Sequence, residues 1–238
     1  MKKTAELITK WIFDQISSAG CDGCLYGLSG GIDSAVVAVL CKRAYPKNCL
    51  AVLMPCHSNP QDLQDALSVV KKFEIDYLIA DLGPVYDKFI ETVFRRGSDT
   101  HFIAEANVKS RLRMTILYYY ANLYNYLVVG TGNKSEIMTG YFTKHGDGGV
   151  DILPLGGLLK TEVVQLAEEL TVPESIIEKK PSAGLWVGQT DEQEMGINYS
   201  ELDRYLASGE ASEKVKERVE FLKRKTMHKR RLPPIPDI

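Results

Sequence analysis

Several common nucleotide-binding signatures are missing from this chain. Its 238 residues contain no Gly-x-x-x-x-Gly-Lys-Ser/Thr, so there is no Walker A phosphate loop. No Gly-x-Gly-x-x-Gly occurs either, which leaves a dinucleotide-dependent dehydrogenase without its fingerprint. No apolar run approaches the roughly 20 residues of a membrane span. Glu6 and Asp14 interrupt the place where a signal peptide's apolar core would lie, so neither secretion nor membrane insertion is expected. Neither sign of charge is in excess: 29 Lys and Arg face 31 Asp and Glu, a net charge of −2 that gives no global attraction to nucleic acid or anionic lipid. Five cysteines are an odd count in a chain too large to need disulfide staples, which points to a reducing cytoplasm. There is no repeat and no low-complexity tract, and the only linker-like pieces are 146–149 and 233–236. One domain over residues 1–238 is expected.

What is present is an alternation of strand and helix patterns. Leu7, Ile8, Trp11, Ile12 and Ile16 at helical spacing predict an amphipathic helix over 3–18. Short buried strands are predicted at 24–28, 49–54, 77–80 and 126–130. Helices are predicted at 33–44, from 60 to about 73, at 84–95 and at 104–125. The second of these starts at Ser58-Asn59-Pro60, a cap followed by proline at the first helical position. The helix after the first strand is apolar all round from Ala35 to Leu40, which requires burial on most sides. Four such alternations predict an α/β fold: a Rossmann-like open parallel sheet with helices on both faces.

The segment that carries chemistry is Ser29-Gly30-Gly31-Ile32-Asp33-Ser34, between the first strand and its helix. Ligands of open parallel sheets bind at the carboxyl ends of strands. Glycines let the backbone approach phosphate oxygens, and a helix start offers free N–H groups and partial positive charge. Asp33 would repel phosphate unless a divalent cation bridged the two, which makes Asp33 a candidate ligand for Mg2+.

Ser-Gly-Gly-x-Asp-Ser resembles the pyrophosphate loop of the ATP pyrophosphatase superfamily, whose members form adenylates and release pyrophosphate. That resemblance implies an adenine nucleotide alpha hydrolase-like fold, with Gly27, Leu28, Ser29, Gly30, Gly31, Ile32, Asp33 and Ser34 around ATP. Further segments, in order along nearly the whole chain, resemble the ammonia-dependent NAD synthetases in particular. The segment 107–114 implies that Arg111 contacts deamido-NAD. Gly130-Thr131-Gly132-Asn133-Lys134-Ser135-Glu136 implies that Thr131 contacts ATP and that Glu136 is a second metal ligand. The glycine-rich segment 142–154, expected to order on binding, brings Lys144 and Asp151 as deamido-NAD contacts. Lys160 corresponds to a lysine on the ATP phosphates, and Ser182, in the mobile-loop segment 180–192, to an ATP contact. His228 and Lys229 correspond to dinucleotide contacts, although cations near a helix end need no such role.

The resemblance therefore implies a ligase that amidates deamido-NAD with ammonia through an acyl-adenylate, with Asp33, Glu136 and Lys160 at the centre. Asp151 is a candidate acceptor of the ammonium proton. Free ammonia is expected because the chain has no length to spare for a glutaminase domain. The resemblance also implies a homodimer, to which Tyr118-Tyr119-Tyr120 could contribute surface if they are not simply packing. The competing expectation is another ATP pyrophosphatase, such as a tRNA-thiolating enzyme using the Cys21-x-x-Cys24 pair.

Overall fold

A computed structural model describes residues 1–93, 102–182, 184–186 and 188–236. The elements run α1 (Lys2–Ser18), β1 (Gly23–Gly27), α2 (Ile32–Ala44), β2 (Cys49–Leu53), α3 (Pro60–Phe73), β3 (Asp76–Ile79), α4 (Gly83–Val93), α5 (Phe102–Tyr124) and β4 (Tyr126–Val128). Then follow α6 (Lys134–Thr139), α7 (Lys160–Glu169), α8 (Glu174–Ile177), α9 (Asp191–Met195), α10 (Tyr199–Ser208), α11 (Glu213–Lys225) and a 3-10 turn at Met227–Lys229.

The four strands are parallel in the order β3-β2-β1-β4. The chain moves outward from β1 to β3 on one side, then returns through α4 and α5 to place β4 on the other. The crevice beyond the carboxyl ends of β1 and β4 is therefore the switch point where such sheets bind ligands. Helix α2 packs under the sheet against α1, α3 and α7, and α5 covers β1 and β4 on the opposite face. Enclosure of α2 explains its sequence: every residue from Ala35 to Cys41 is 2 % exposed or less. A helix with no polar face has nowhere else to go.

The predicted elements are present, with boundary shifts of one or two residues; residues 94 and 95 of the helix expected at 84–95 lie outside the described residues. Asn59 caps α3, its side chain accepting the Gln61 N–H at 3.0 Å, with Pro60 at the first helical position as expected. The apolar stripe of α1 is buried along one side only. Ala5, Ile12 and Ile16 face the core, with Ile8 packed against it, while Leu7 and Trp11 stay 60 % and 40 % exposed. The helical twist allows one stripe to face α2, and Leu7 and Trp11 lie beside that stripe.

Candidate active site

The Ser29–Ser34 loop makes a tight turn between β1 and α2. Gly30 has φ +80, and a Cβ there would lie 2.2 Å from the backbone oxygen of Asp62. Only glycine satisfies both the left-handed backbone and the close approach of α3. Inside the turn, the Ser34 hydroxyl donates to the Gly31 carbonyl at 2.8 Å and accepts the Ser29 N–H at 3.2 Å. The hydroxyls of Ser29 and Ser34 are 3.1 Å apart. The loop's donors thus converge around the start of α2, whose first turn carries Asp33.

The two candidate metal-ligating carboxylates meet over a single lysine. Lys160, the first residue of α7, places its ammonium against Asp33 and 3.5 Å from Glu136. All three side chains are largely withdrawn from water, at 6 % exposure for Lys160, 16 % for Asp33 and 17 % for Glu136. Burial, followed by the charge of Asp33, pushes the Glu136 carboxyl up to about 8. Burial alone would lower the Lys160 ammonium, but Asp33 and Glu136 outweigh it and the net shift is upward.

Asn133 fixes the geometry of this group. Its amide nitrogen donates to Asp33 at 2.9 Å. Its amide oxygen accepts the Glu136 N–H at 3.0 Å, and the Glu136 carboxylate accepts the Asn133 N–H at 3.2 Å. This is a reciprocal cap on α6. Asn133 has a second duty as well, holding Asp33 across the switch point. Thr131 is half-buried between β4 and this cap.

Residues far downstream complete the surroundings. The Tyr199 ring centroid lies 5.3 Å from the Lys160 ammonium, and its hydroxyl donates to Asp191 at 3.0 Å. The Asp191 carboxylate is buried and raised, chiefly by that burial. No sequence signal singled out Asn133, Asp191 or Tyr199.

The basic residues of α5 point in different directions. Lys109 and Arg113, one turn apart, both face the carboxyl end of β2. Arg113 donates to the Met54 carbonyl at 3.2 Å, and Lys109 to the Leu185 carbonyl at 2.9 Å. Arg111 points the other way, is exposed, and reaches the Lys144 carbonyl at 3.4 Å. Lys144 in turn donates to the His228 carbonyl at 2.9 Å. Arg111, Lys144 and His228 are thus brought together along one edge. Lys229 is half-buried, its ammonium already donating to the Gly140 and Phe142 carbonyls at 2.8 and 2.6 Å. Asp151 is held by the Tyr118 hydroxyl and the Val128 N–H, each at 2.8 Å.

The glycine-rich segment is joined to α5 and folded on itself by hydrogen bonds. Asp147 accepts from Ser110 at 2.6 Å and from the Thr143 N–H at 3.0 Å. A Cβ on Gly146 would lie 2.4 Å from the Ser110 hydroxyl. Gly146 and Gly149 thus allow the segment to pack closely against α5.

The second loop, 180–190, is tethered at its root by Lys179. That ammonium pairs with Asp62 at 2.7 Å and Asp65 at 2.6 Å and lies 3.4 Å from the Gly30 carbonyl. Trp186 packs edge-on against Phe102 with centroids 4.7 Å apart. Ser182 is exposed and accepts the Gly184 N–H at 3.1 Å.

The cysteine pair offers no chemistry of the thiolating kind. Cys24 is fully buried in β1, and hydrogen bonding with Cys41 together with burial raises its thiol well above the usual range. Reactive thiols are exposed and lowered instead.

The chain matches the NAD synthase family profile over residues 4–233. It is 48 % identical over 238 residues to an NH(3)-dependent NAD(+) synthetase of Carboxydothermus hydrogenoformans, covering 99 % of this chain and 97 % of that one. Among solved structures it is similar to NMN synthetase from Francisella tularensis, with TM-score 0.95, 40 % identity, and 100 % and 98 % of the two chains covered. It is also similar to the NH3-dependent NAD synthetase from Campylobacter jejuni in complex with nitrate, with TM-score 0.84, 32 % identity and 99 % of each chain covered.

Proposed function

Because this chain belongs to the NAD synthase family, we propose that it uses ATP to join ammonia to the nicotinate carboxylate of deamido-NAD, giving NAD, AMP and pyrophosphate. The observation that carries this reading is the convergence of the Ser29–Ser34 cradle, Asp33, Glu136 and Lys160 at the switch point between β1 and β4.

Asp33 and Glu136 fit a divalent cation. They already enclose a cation, the Lys160 ammonium, and among the described residues no cluster of three or more His, Cys, Asp and Glu forms a closed metal cage. Mg2+ is commonly held by one or two carboxylates with substrate phosphates completing its shell. When bound, it would neutralise charge building on the departing pyrophosphate.

The chain's own groups account for the rest. The N–H and hydroxyl donors of Gly31, Ser29 and Ser34 hold phosphate oxygens at the start of α2. Lys160 supplies a positive charge to the same oxygens, and Asn133 keeps Asp33 and Glu136 in register. The substrate carboxylate attacks the α-phosphorus, and the resulting acyl-adenylate is opened by ammonia. The protein contributes positioning and preorganised charge rather than a nucleophile. Arg111, Lys144 and His228 form the edge assigned to deamido-NAD, with Thr131 and Ser182 on the ATP side. Lys229 supports that edge from behind, because its ammonium is already engaged. Asp151, with one donor on each oxygen and a lone pair left on each, is assigned to deamido-NAD and stays the candidate acceptor of the ammonium proton.

A second reading keeps the chemistry and shortens the substrate: the likeness to an NMN synthetase favours amidation of nicotinate mononucleotide. Curated relatives at 46–48 % identity named as NAD(+) synthetases favour the dinucleotide. Offering both substrates in competition, with ATP, Mg2+ and ammonium, separates the two by the ratio of kcat/KM. Glutamine in place of ammonium is expected to give no product.

The enzyme is further proposed to be a cytoplasmic homodimer. Helix α5 leaves Tyr119, Leu123 and Tyr124 at 61 %, 58 % and 43 % exposure, a row suited to a second copy. Sedimentation at micromolar concentration tests the dimer.

A further inference from the structure

Lys160 opens α7 without help from its own neighbour on the N-terminal side. The preceding residue, Leu159, has no side-chain acceptor with which to satisfy the free N–H groups that begin a helix. The acceptor comes instead from α10. Asp203, 3 % exposed, accepts the Thr161 N–H at 2.8 Å with one carboxylate oxygen and the Ser135 hydroxyl at 2.5 Å with the other. The Ser135 oxygen in turn accepts the Lys160 N–H at 3.0 Å. One buried carboxylate therefore ties together the backbone of Lys160 and the α6 residue next to Glu136. Tyr199, one helical turn before Asp203, places its ring against the Lys160 ammonium, so α10 holds Lys160 at both ends.

We propose that Asp203 is a positioning residue for the reaction: through Ser135 and the Thr161 N–H it sets Lys160 and Glu136 in register with Asp33, so that the lysine charge and both carboxylates meet the same phosphate. A shift of α7 by even 1 Å would carry the ammonium away from oxygens it must contact at hydrogen-bond distance, and misplacement on that scale is costly to a reaction that relies on positioning. A negative charge at the start of α7 is also favourable to the helix itself. Asp203 thus serves the fold and the site through the same two bonds. The inference rests on the reading of Lys160 and Glu136 given under Proposed function.

The test is D203N, which keeps the shape but replaces one acceptor by a donor, compared with Leu202→Val. Leu202 is the fully buried neighbour on α10, and its shortening loosens the helix without touching Lys160. Both are assayed for NAD and AMP formation at saturating substrates, with thermal midpoints measured alongside. For D203N, kcat is expected to fall at least tenfold with KM for ammonium unchanged, while L202V, at an equal or larger loss of thermal midpoint, keeps kcat within twofold. S135A, which removes the hydroxyl that links Asp203 to the Lys160 N–H but leaves Asp203 on the Thr161 N–H, stands in if D203N fails to fold and is expected to lower kcat in the same way. Retention of kcat by D203N (or by S135A if D203N does not fold), or an equal fall in L202V, overturns the proposal. Absence of NAD and AMP with the unmutated protein would instead overturn the functional reading beneath it.

Discussion

The ammonium of Lys160 is held in contact with Asp33, although 127 residues separate the two in the chain. In a buried site, two carboxylates this close are unfavourable without a cation between them. Lysine fills that place, and the same lysine is the one proposed to meet the phosphates of ATP. Under that proposal, nucleotide binding draws the ammonium off the carboxylates.

Removal of that charge is expected to be severe. Lys160→Met should lower kcat by about 10²- to 10³-fold, the range for losing one preorganised electrostatic contact. It should also tighten Mn2+ binding in the absence of nucleotide, since the competing ammonium is gone. Steady-state kinetics and the electron paramagnetic resonance signal of free Mn2+ check the two halves.

The raised Glu136 carboxyl predicts a pH-dependent stability in the metal-free protein. Its folded value, about 8, lies above that of a free carboxylate, so the folded state holds a proton that the unfolded state has lost. Its contribution is complete below about pH 4 and is lost as pH rises through 8, with a slope of at most about 1.4 kcal/mol per pH unit. Denaturant titrations between pH 5 and 8 should show this decline, and Glu136→Gln should flatten it.

Asn133→Ala removes a helix cap and the tether to Asp33 at once. The cap is worth about 1 kcal/mol, which a denaturation midpoint will register. Loss of activity should exceed what that destabilisation explains, and Mg2+ should be needed at higher concentration. An activity loss that disappears at high Mg2+ would leave Asn133 with a role in metal register alone.

Gly30→Ala meets both a left-handed backbone and the Asp62 carbonyl. The backbone component alone costs about 1–2 kcal/mol. The loop must move off α3 to accommodate the methyl, so KM for ATP should rise at least tenfold. A variant with KM near that of the unmutated protein would show that the loop does not hold the phosphates.

Local signals made much of this legible. The apolar run from Ala35 to Leu40 announced a helix enclosed on all sides, and strand–helix alternation announced the parallel sheet. Ser29–Ser34 stood out by residue type and position, whereas Glu136 and Lys160 were carried by the resemblance to the NAD synthetases. The supporting residues did not stand out. A buried aspartate such as Asp203 looks like any helix aspartate until α10 is folded against α7, and Tyr199 reads as ordinary core. Leu7 and Trp11 show the converse: spacing defines a stripe, but only packing decides which side of it is covered.

The most direct measurement follows an oxygen atom. Deamido-NAD labelled with 18O in its nicotinate carboxylate, incubated with the protein, ATP, Mg2+ and ammonium, should deliver one label to the phosphate of AMP and none to pyrophosphate. Label in pyrophosphate, or ADP and phosphate in place of AMP and pyrophosphate, would contradict attack on the α-phosphorus within the Ser29–Ser34 cradle.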